Sequence, residues 1–294
     1  MLSGLSVGAR EIAAAASRRE TLVMGVVNVT PDSFYPASAA SEPEDALGHA
    51  CMLHTQGADI LDVGGESSRP GSDSVGLEEE LRRILPVFEA LSGISATLSV
   101  DTYRAETARR AIGFGATLVN DITALRGDPE MAAVVAESNA DCVLMHMLGD
   151  PKTMQVAPKY EDVVDDIIRF FEERMEYAIS EGIAEDRIWL DPGFGFGKTV
   201  DHNLTILRRL REFKSLGRPI VVGTSNKSTI GSVLDLPVDE RVEGTAATVA
   251  IAIWNGADCV RVHDVAQMKR VAAMTDAIVW KGAGQKKVDG ERSG

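Results

Sequence analysis

The chain has 294 residues, 45% of them apolar, and a formal net charge of -14 at pH 7. This supplies ample core for one large domain or two ordinary ones, and it argues against a general nucleic-acid binder, which needs clustered Lys and Arg, without excluding a small anionic ligand held by a few local cations. No stretch approaches membrane-spanning length, and Cys51, Cys142 and Cys259 lack metal-ligand spacing, so free thiols in a reducing cytoplasm are expected.

Residues 1–20 read as an extension. Their apolar run from Ile12 to Ala16 is too short for a signal-peptide core and follows Arg10 and Glu11. The first strand is predicted over Leu22–Val29. Four later segments then repeat one plan: "GADILDVGG" from Gly57, "GATLVNDI" from Gly115, "NADCVLMHM" from Asn139 and "GADCVRVHD" from Gly256. Each opens on Gly or Asn, residues that end a helix in the left-handed conformation, and runs into a short apolar strand. Thr97–Val100, Ile188–Leu190 and Ile220–Val222 bring the strands to about eight. Amphipathic helices are predicted over Leu77–Leu91, Arg104–Phe114, Glu161–Ile179, His202–Phe213 and Glu240–Ile253. Strands alternating with helices mean parallel strands joined by crossovers. The closure this favours is a (β/α)8 TIM barrel, a single α/β domain over residues 21–281; a doubly wound open sheet is the alternative. The polar, glycine-rich tail 282–294 is expected to be disordered.

Pro192–Thr199, "PGFGFGKT", ends in the Gly-Lys-Thr of a nucleotide-binding P-loop. That loop needs Gly four residues before its Gly-Lys pair, and here Pro192 stands there. Proline fixes φ and carries no N–H, so the loop loses both a turn conformation and a phosphate donor. The P-loop reading is rejected.

The polar residues at the predicted strand ends are Asn28, Asp62 with the loop 64–71, Asp101, Asn120-Asp121, His146, Asp191, Thr224-Ser225 with Lys227, and Arg261 with His263. In a barrel these ends share one mouth. A single Asp or Asn there is usually a helix cap, and Asp62 and Asp121 are expected to serve in support; eight such ends are hard to explain by capping alone. Asp101, Asn120 and Asp191 offer paired donors and acceptors to a flat heterocycle. Arg69, Lys227, Arg261 and His263 offer cations to phosphate oxygens. A flat ring carrying a diphosphate is the implied ligand.

Eight motifs in order, across about residues 22–281, carry a resemblance: "MGVVNVTPDSF" at 24–34, "DVGGESSRPG" at 62–71, "SVDTYRAETA" at 99–108, "NDI" at 120–122, "MHMLGDPKTMQ" at 145–155, "LDPGFGFGK" at 190–198, "GTSNKSTIG" at 223–231 and "RVHDV" at 261–265. The chain resembles the dihydropteroate synthase family of folate biosynthesis, which implies a pterin-binding barrel that condenses 6-hydroxymethyl-7,8-dihydropterin diphosphate with p-aminobenzoate. By that resemblance Asp101, Asn120, Asp191 and Lys227 hold the pterin, and Asn28, Arg261 and His263 hold the diphosphate, with Mg²⁺ at Asn28. Ser68 and Arg69 close over the diphosphate and, with Lys227, are the catalytic candidates. Ser68, Pro70, Phe196 and Ser228 form the p-aminobenzoate site, and the glycines of "PGFGFGK" let the backbone approach the ligands, with Lys198 and Thr199 incidental. Sulfonamides are then expected inhibitors, and a homodimer through the late helices is expected.

Three positions depart from the family's pattern. Tyr35-Pro36-Ala37-Ser38 replaces the usual Ser-Asp-Gly-Gly, removing an aspartate that would stabilise a cationic carbon; Asn226 stands where an arginine is usual; Ser68 replaces threonine. The first two bear on turnover and sulfonamide affinity. Two rivals follow: a non-catalytic or drug-tolerant pterin-binding paralogue, and a methyltetrahydrofolate:corrinoid methyltransferase, which shares the pterin site but is disfavoured by "GGESSRP", "SNKS" and "RVHDV".

Overall fold

In the computed structural model of the chain, which describes residues 20–30, 42–67, 74–149, 154–155 and 157–280, strands and helices alternate throughout. The strands are β1 (Leu22–Asn28), β2 (Ile60–Gly64), β3 (Thr97–Asp101), β4 (Leu118–Asp121), β5 (Asp141–Met145), β6 (Ile188–Asp191), β7 (Val221–Val222) and β8 (Cys259–Val262). The helices are α1 (Glu42–Thr55), α2 (Leu77–Leu91), α3 (Ala105–Gly113), α4 (Met131–Glu137), α5 (Val163–Ser180), α6 (Val200–Arg209), α7 (Ser228–Leu234), α8 (Val242–Trp254) and α9 (Val265–Trp280). Tyr35, Pro36, Ser68, Arg69 and Pro70, and most of the two chain ends, lie outside the described residues.

All strand pairs are parallel, in the order β6-β5-β4-β3-β2-β1-β8-β7. A bridge between Leu190 and Ile220, with Leu190 N–H donating to Pro219 C=O at 2.9 Å, joins β6 to β7. The sheet is therefore a TIM barrel and not the open alternative. Its seam is the weakest part of the wall, because β7 keeps only two residues of the expected Ile220–Val222.

The strand sequences are apolar on both faces because both faces are covered. Outward residues such as Val23, Leu61, Val100, Leu144 and Val260 pack with helix residues such as Leu53, Ile84, Phe88 and Phe171. Inward residues Leu22, Met24, Ile60, Leu118, Val143, Trp189, Val221 and Cys259 form a separate plug, drawn from every strand except β3. The Trp189 indole N–H is satisfied by Asp141 Oδ2 at 3.0 Å. Side chains alternate with period two, so the next inward position on β2, β4, β6 and β8 is polar: Asp62, Asn120, Asp191 and Arg261. An apolar floor thus carries a polar layer facing the C-terminal mouth.

The helices follow their sequence signals. On α2 the buried residues Leu81, Ile84, Val87, Phe88 and Leu91 lie on one stripe, and Glu78, Glu79 and Glu80 occupy the first turn, where the helix dipole favours acids. The capping carboxylate of Asp162 accepts the Val164 and Asp165 N–H groups of α5 at 2.9 and 3.0 Å. Gly57, Gly115 and Gly256 adopt the expected left-handed conformation. Asn139 does not: α4 ends at an extended Ser138, whose hydroxyl accepts the Ala140 N–H at 3.2 Å and turns the chain without a left-handed residue.

Candidate active site

Asp62 organises the polar layer. Its completely buried carboxylate accepts Ser99 Oγ at 2.6 Å, Asn120 Nδ2 at 3.0 Å and Arg261 Nε at 2.6 Å. The bond from Asn120 fixes which amide atom faces away from Asp62. Arg261 also donates Nη2 to Asp101 Oδ2 at 2.7 Å, so one guanidinium bridges carboxylates from two neighbouring strands. Burial opposes the Arg261 charge, but Asp62 and Asp101 raise its pKa above the ordinary value. Burial pushes Asp101 up to about 7; Arg261 opposes this, and the nearby Asp62 adds to it. Asp62 is the supporting residue expected. Ser99 was missed, although alternation along Thr97–Asp101 turns it inward.

Asp121 is also structural. It accepts Thr123 N–H and Oγ1, each at 2.7 Å, and Leu125 N–H at 2.8 Å, holding Ala124 and Leu125 at positive φ.

Asp191 ends β6 on the inner face, 7% exposed, with Oδ1 accepting Gly193 N–H at 2.7 Å. Burial raises its pKa, and Lys227 is the largest opposing influence. The glycine run that follows is shaped by the protein itself. Gly193 has φ +67°, and a Cβ there would lie 1.9 Å from His146 O; at Gly197, φ +66°, it would lie 2.8 Å from Leu148 Cβ. These glycines let the β6 loop pack against the β5 loop. Thr199 caps α6 in a capping box with His202, and Lys198 is buried, its Nζ bonded to His146 Nδ1 at 2.9 Å. Burial pulls Lys198 well below the ordinary ammonium range against the pull of Asp191, and burial, then Lys198 and Arg126, keep His146 far below its usual pKa. Neither residue is incidental.

Lys227 follows β7. Its Nζ donates to Phe194 O and stands 4.3 Å from the centroid of the Phe196 ring. Burial lowers it to about 8, against the pull of Asp191. Lys227 thus joins the carboxylate cluster to Phe196, which, like Tyr103, packs against the cluster of Ile122, Met145, Met147 and Met154. Asn226 has φ +56°, a conformation asparagine tolerates better than most residues. Its amide donates to Asp264 Oδ2 at 3.3 Å and its side-chain carbonyl accepts from Thr245 Oγ1 at 3.2 Å.

The structure therefore draws Asp101, Asn120, Asp191, Lys227 and Arg261 into one cluster. Asn28 and His263 stand on adjacent strand ends, His263 bonded through N–H (3.2 Å) and Nδ1 (3.0 Å) to Ser225 Oγ. Ser228 is exposed at the start of α7. A further network frames the second loop: Arg104 donates to Glu80 at 2.7 Å, Glu66 at 2.9 Å and Val75 O at 2.6 Å, while Tyr103 Oη donates to Glu66 at 3.0 Å. These residues span 38 positions, so no local motif marks their pairing.

A parallel barrel with carboxylate, amide and cationic groups converging above an apolar floor defines a barrel enzyme built for a polar heterocycle. A match to the protein family described as "Pterin binding enzyme" spans residues 24–263, and the chain belongs to that family. The chain is 44% identical over 266 residues to the dihydropteroate synthase of Bacillus subtilis (strain 168), covering 90% of this chain and 91% of that protein. Among solved structures, the Yersinia pestis dihydropteroate synthase with a sulfonamide drug complex superposes with a TM-score of 0.84 at 41% identity, over 88% of this chain and 94% of that one. The Xanthomonas albilineans dihydropteroate synthase with 4-aminobenzoic acid gives 0.84 at 42% identity, over 88% and 93%.

Proposed function

We propose that the chain is a dihydropteroate synthase, joining 6-hydroxymethyl-7,8-dihydropterin diphosphate to p-aminobenzoate. The observation that carries this is the Asp101–Asn120–Asp191–Lys227–Arg261 cluster in a chain 44% identical to a dihydropteroate synthase over 90% of its length. Asp101, Asn120 and Asp191 offer acceptors to the N–H edge of a pterin, in a pocket whose burial strengthens each contact. Cationic groups stabilise the diphosphate as the exocyclic C–O bond breaks; the aniline nitrogen then bonds to that carbon and loses its proton. No protein nucleophile is needed, so positioning and electrostatic stabilisation supply the rate.

Asn28 is the metal candidate. Its side chain offers an amide oxygen, a hard donor of the kind Mg²⁺ takes, and the described residues contain no cluster of three or more His, Cys, Asp or Glu side chains able to cage a metal. The donor set fits a Mg²⁺ that arrives on the diphosphate, where it would neutralise charge on the leaving group. Ser68, Arg69 and Pro70 keep the roles the resemblance assigns them. The described helices include none long and apolar enough to cross a membrane, and Cys51, Cys142 and Cys259 are free thiols, in keeping with work in the cytoplasm. Exposed apolar side chains on α7, α8 and α9 support a homodimer.

The test is dihydropteroate formation by the purified protein with pterin diphosphate, Mg²⁺ and p-aminobenzoate. Product is expected, and Asp191→Ala should lower kcat/KM by about a hundredfold or more, the cost of losing a buried charged hydrogen bond. Tight pterin binding without product would replace this reading by the non-catalytic one.

A further inference from the structure

Gly197-Lys198-Thr199 does more than start a helix. Thr199 and His202 supply the cap of α6 between them, and a cap gives no reason to bury a lysine to 4% exposure beside it. Withdrawing an amine from water is costly unless its donors are met. The Lys198 Nζ has three acceptors: His146 Nδ1 at 2.9 Å, His146 O at 3.3 Å and Phe196 O at 2.9 Å. Three acceptors meet the three N–H donors of an ammonium, and two of them suffice for the neutral amine that burial favours. With Nζ donating, His146 presents Nδ1 as the acceptor and carries its proton on Nε2.

The cage joins two loops. His146 directly follows β5, and its N–H extends the barrel ladder to Asp191 O at 2.9 Å. Phe196 lies in the loop after β6, with its ring under Lys227. Lys198 therefore ties the carbonyl of the residue that carries the ring to the rigid end of the neighbouring strand. The contact is close, since a Cβ at Gly193 would lie 3.4 Å from Nζ. Gln155 Nε2 and Asn203 Oδ1 hold Gly195 from other directions, at 2.6 and 2.8 Å, but neither reaches Phe196 O.

We propose that Lys198 is a positioning residue for the p-aminobenzoate side of the site: through His146 and the Phe196 carbonyl it sets where the Phe196 ring stands, and it locks the His146 tautomer. This rests on the synthase reading above. On the pterin side, Asp101 and Asn120 on β3 and β4 share no hydrogen bond with the cage, whereas Asp191 and Lys227 adjoin it through the His146 N–H and the Phe196 ring, so the effect is expected to be larger on p-aminobenzoate than on the pterin.

Lys198→Met and Lys198→Gln separate these roles. The Met variant should raise KM for p-aminobenzoate by about tenfold or more, the scale of losing buried hydrogen bonds, and weaken pterin diphosphate binding several-fold less. The Gln variant keeps two N–H donors and should recover part of the loss. Equal weakening of both substrates, or no change in KM for p-aminobenzoate, would overturn the proposal. ¹⁵N NMR of the His146 ring tests it without turnover. The wild-type protein should show Nδ1 unprotonated and the Met variant a changed Nδ1 signal; a protonated Nδ1 in the wild type, or an unmoved signal in the variant, would count against it. A wild-type protein that made no dihydropteroate would instead sink the synthase reading, and the NMR result would still decide whether Lys198 locks the His146 tautomer.

Discussion

Asp101 and Lys227 titrate toward each other. Asp101 sits above the usual carboxylate range at about 7, because burial outweighs the help of Arg261. Lys227 sits below the usual ammonium range at about 8, because burial outweighs the pull of Asp191. In the proposed pterin site Asp101 serves as an acceptor and Lys227 as a donor, so the working form exists between the two values. Raising pH through about 7 creates the carboxylate and raises kcat/KM; raising it through about 8 removes the ammonium and lowers kcat/KM. The free enzyme should show a narrow bell. Asp101→Asn should abolish its acid limb and Lys227→Arg should move its alkaline limb beyond the accessible range. A flat profile from pH 6 to 9 would show that neither group is required in one protonation state. Asn226 belongs to the same scale. Asn226 brings no cation to the site, but the backbone there is left-handed and the amide is engaged with Asp264 and Thr245, so the side chain serves to hold the turn that presents Lys227.

The β6 loop shows how conformation and packing combine at one element. A Cβ at Gly193 would meet both a left-handed φ and the His146 carbonyl at 1.9 Å. Gly217 has nearly the same φ, +68°, with nothing within 4 Å. Gly193→Ala should therefore cost about 3 kcal/mol or more, lowering Tm by roughly 5–10 °C, and Gly217→Ala only about 1 kcal/mol. Equal losses in thermal unfolding would mean that φ alone matters and the loop contact carries no weight. Much of the element scale was legible in the chain. Short apolar runs, several of them opening on a helix-ending Gly or Asn, located the strands and put Asp62, Asn120, Asp191 and Arg261 at their C-terminal ends, and apolar spacing bounded the helix Leu77–Leu91 to the residue. What was not legible depends on partners distant in sequence. Lys198 meets His146 across 52 positions and Arg104 meets Glu66 across 38, so "GKT" looked like a motif fragment and Arg104 like the start of a helix. Asn139 failed for a local reason: Ser138 offers an extended exit from α4 that needs no left-handed residue.

At the scale of the whole molecule, the barrel keeps its chemistry at one end and leaves a lateral surface to explain. Val233 and Leu234 on α7, Ile251 and Trp254 on α8, and Met274 and Ile278 on α9 are each at least 45% exposed. The helices are consecutive and pack in sequence order, α7 on α8 and α8 on α9. Scattered exposed apolar residues are ordinary, whereas several large ones on adjoining helices mark a surface meant to be covered. A second copy is the economical cover, because a two-fold interface uses the same patch twice and needs no other partner. The net charge of -14 does not forbid this, since opposing like-charged molecules are screened beyond about 8 Å at physiological salt. Light scattering at micromolar concentration should give twice the 31.5 kDa chain mass. Trp254→Glu should yield a monomer, because burying an unpaired carboxylate opposite an apolar patch costs several kcal/mol. Its KM values should stay within about twofold, since the cluster from Asp62 to Arg261 lies within one chain and aromatic truncation far from it acts on assembly alone. A wild-type protein of single-chain mass would show that the exposed face on α7, α8 and α9 stays in water or awaits a different protein.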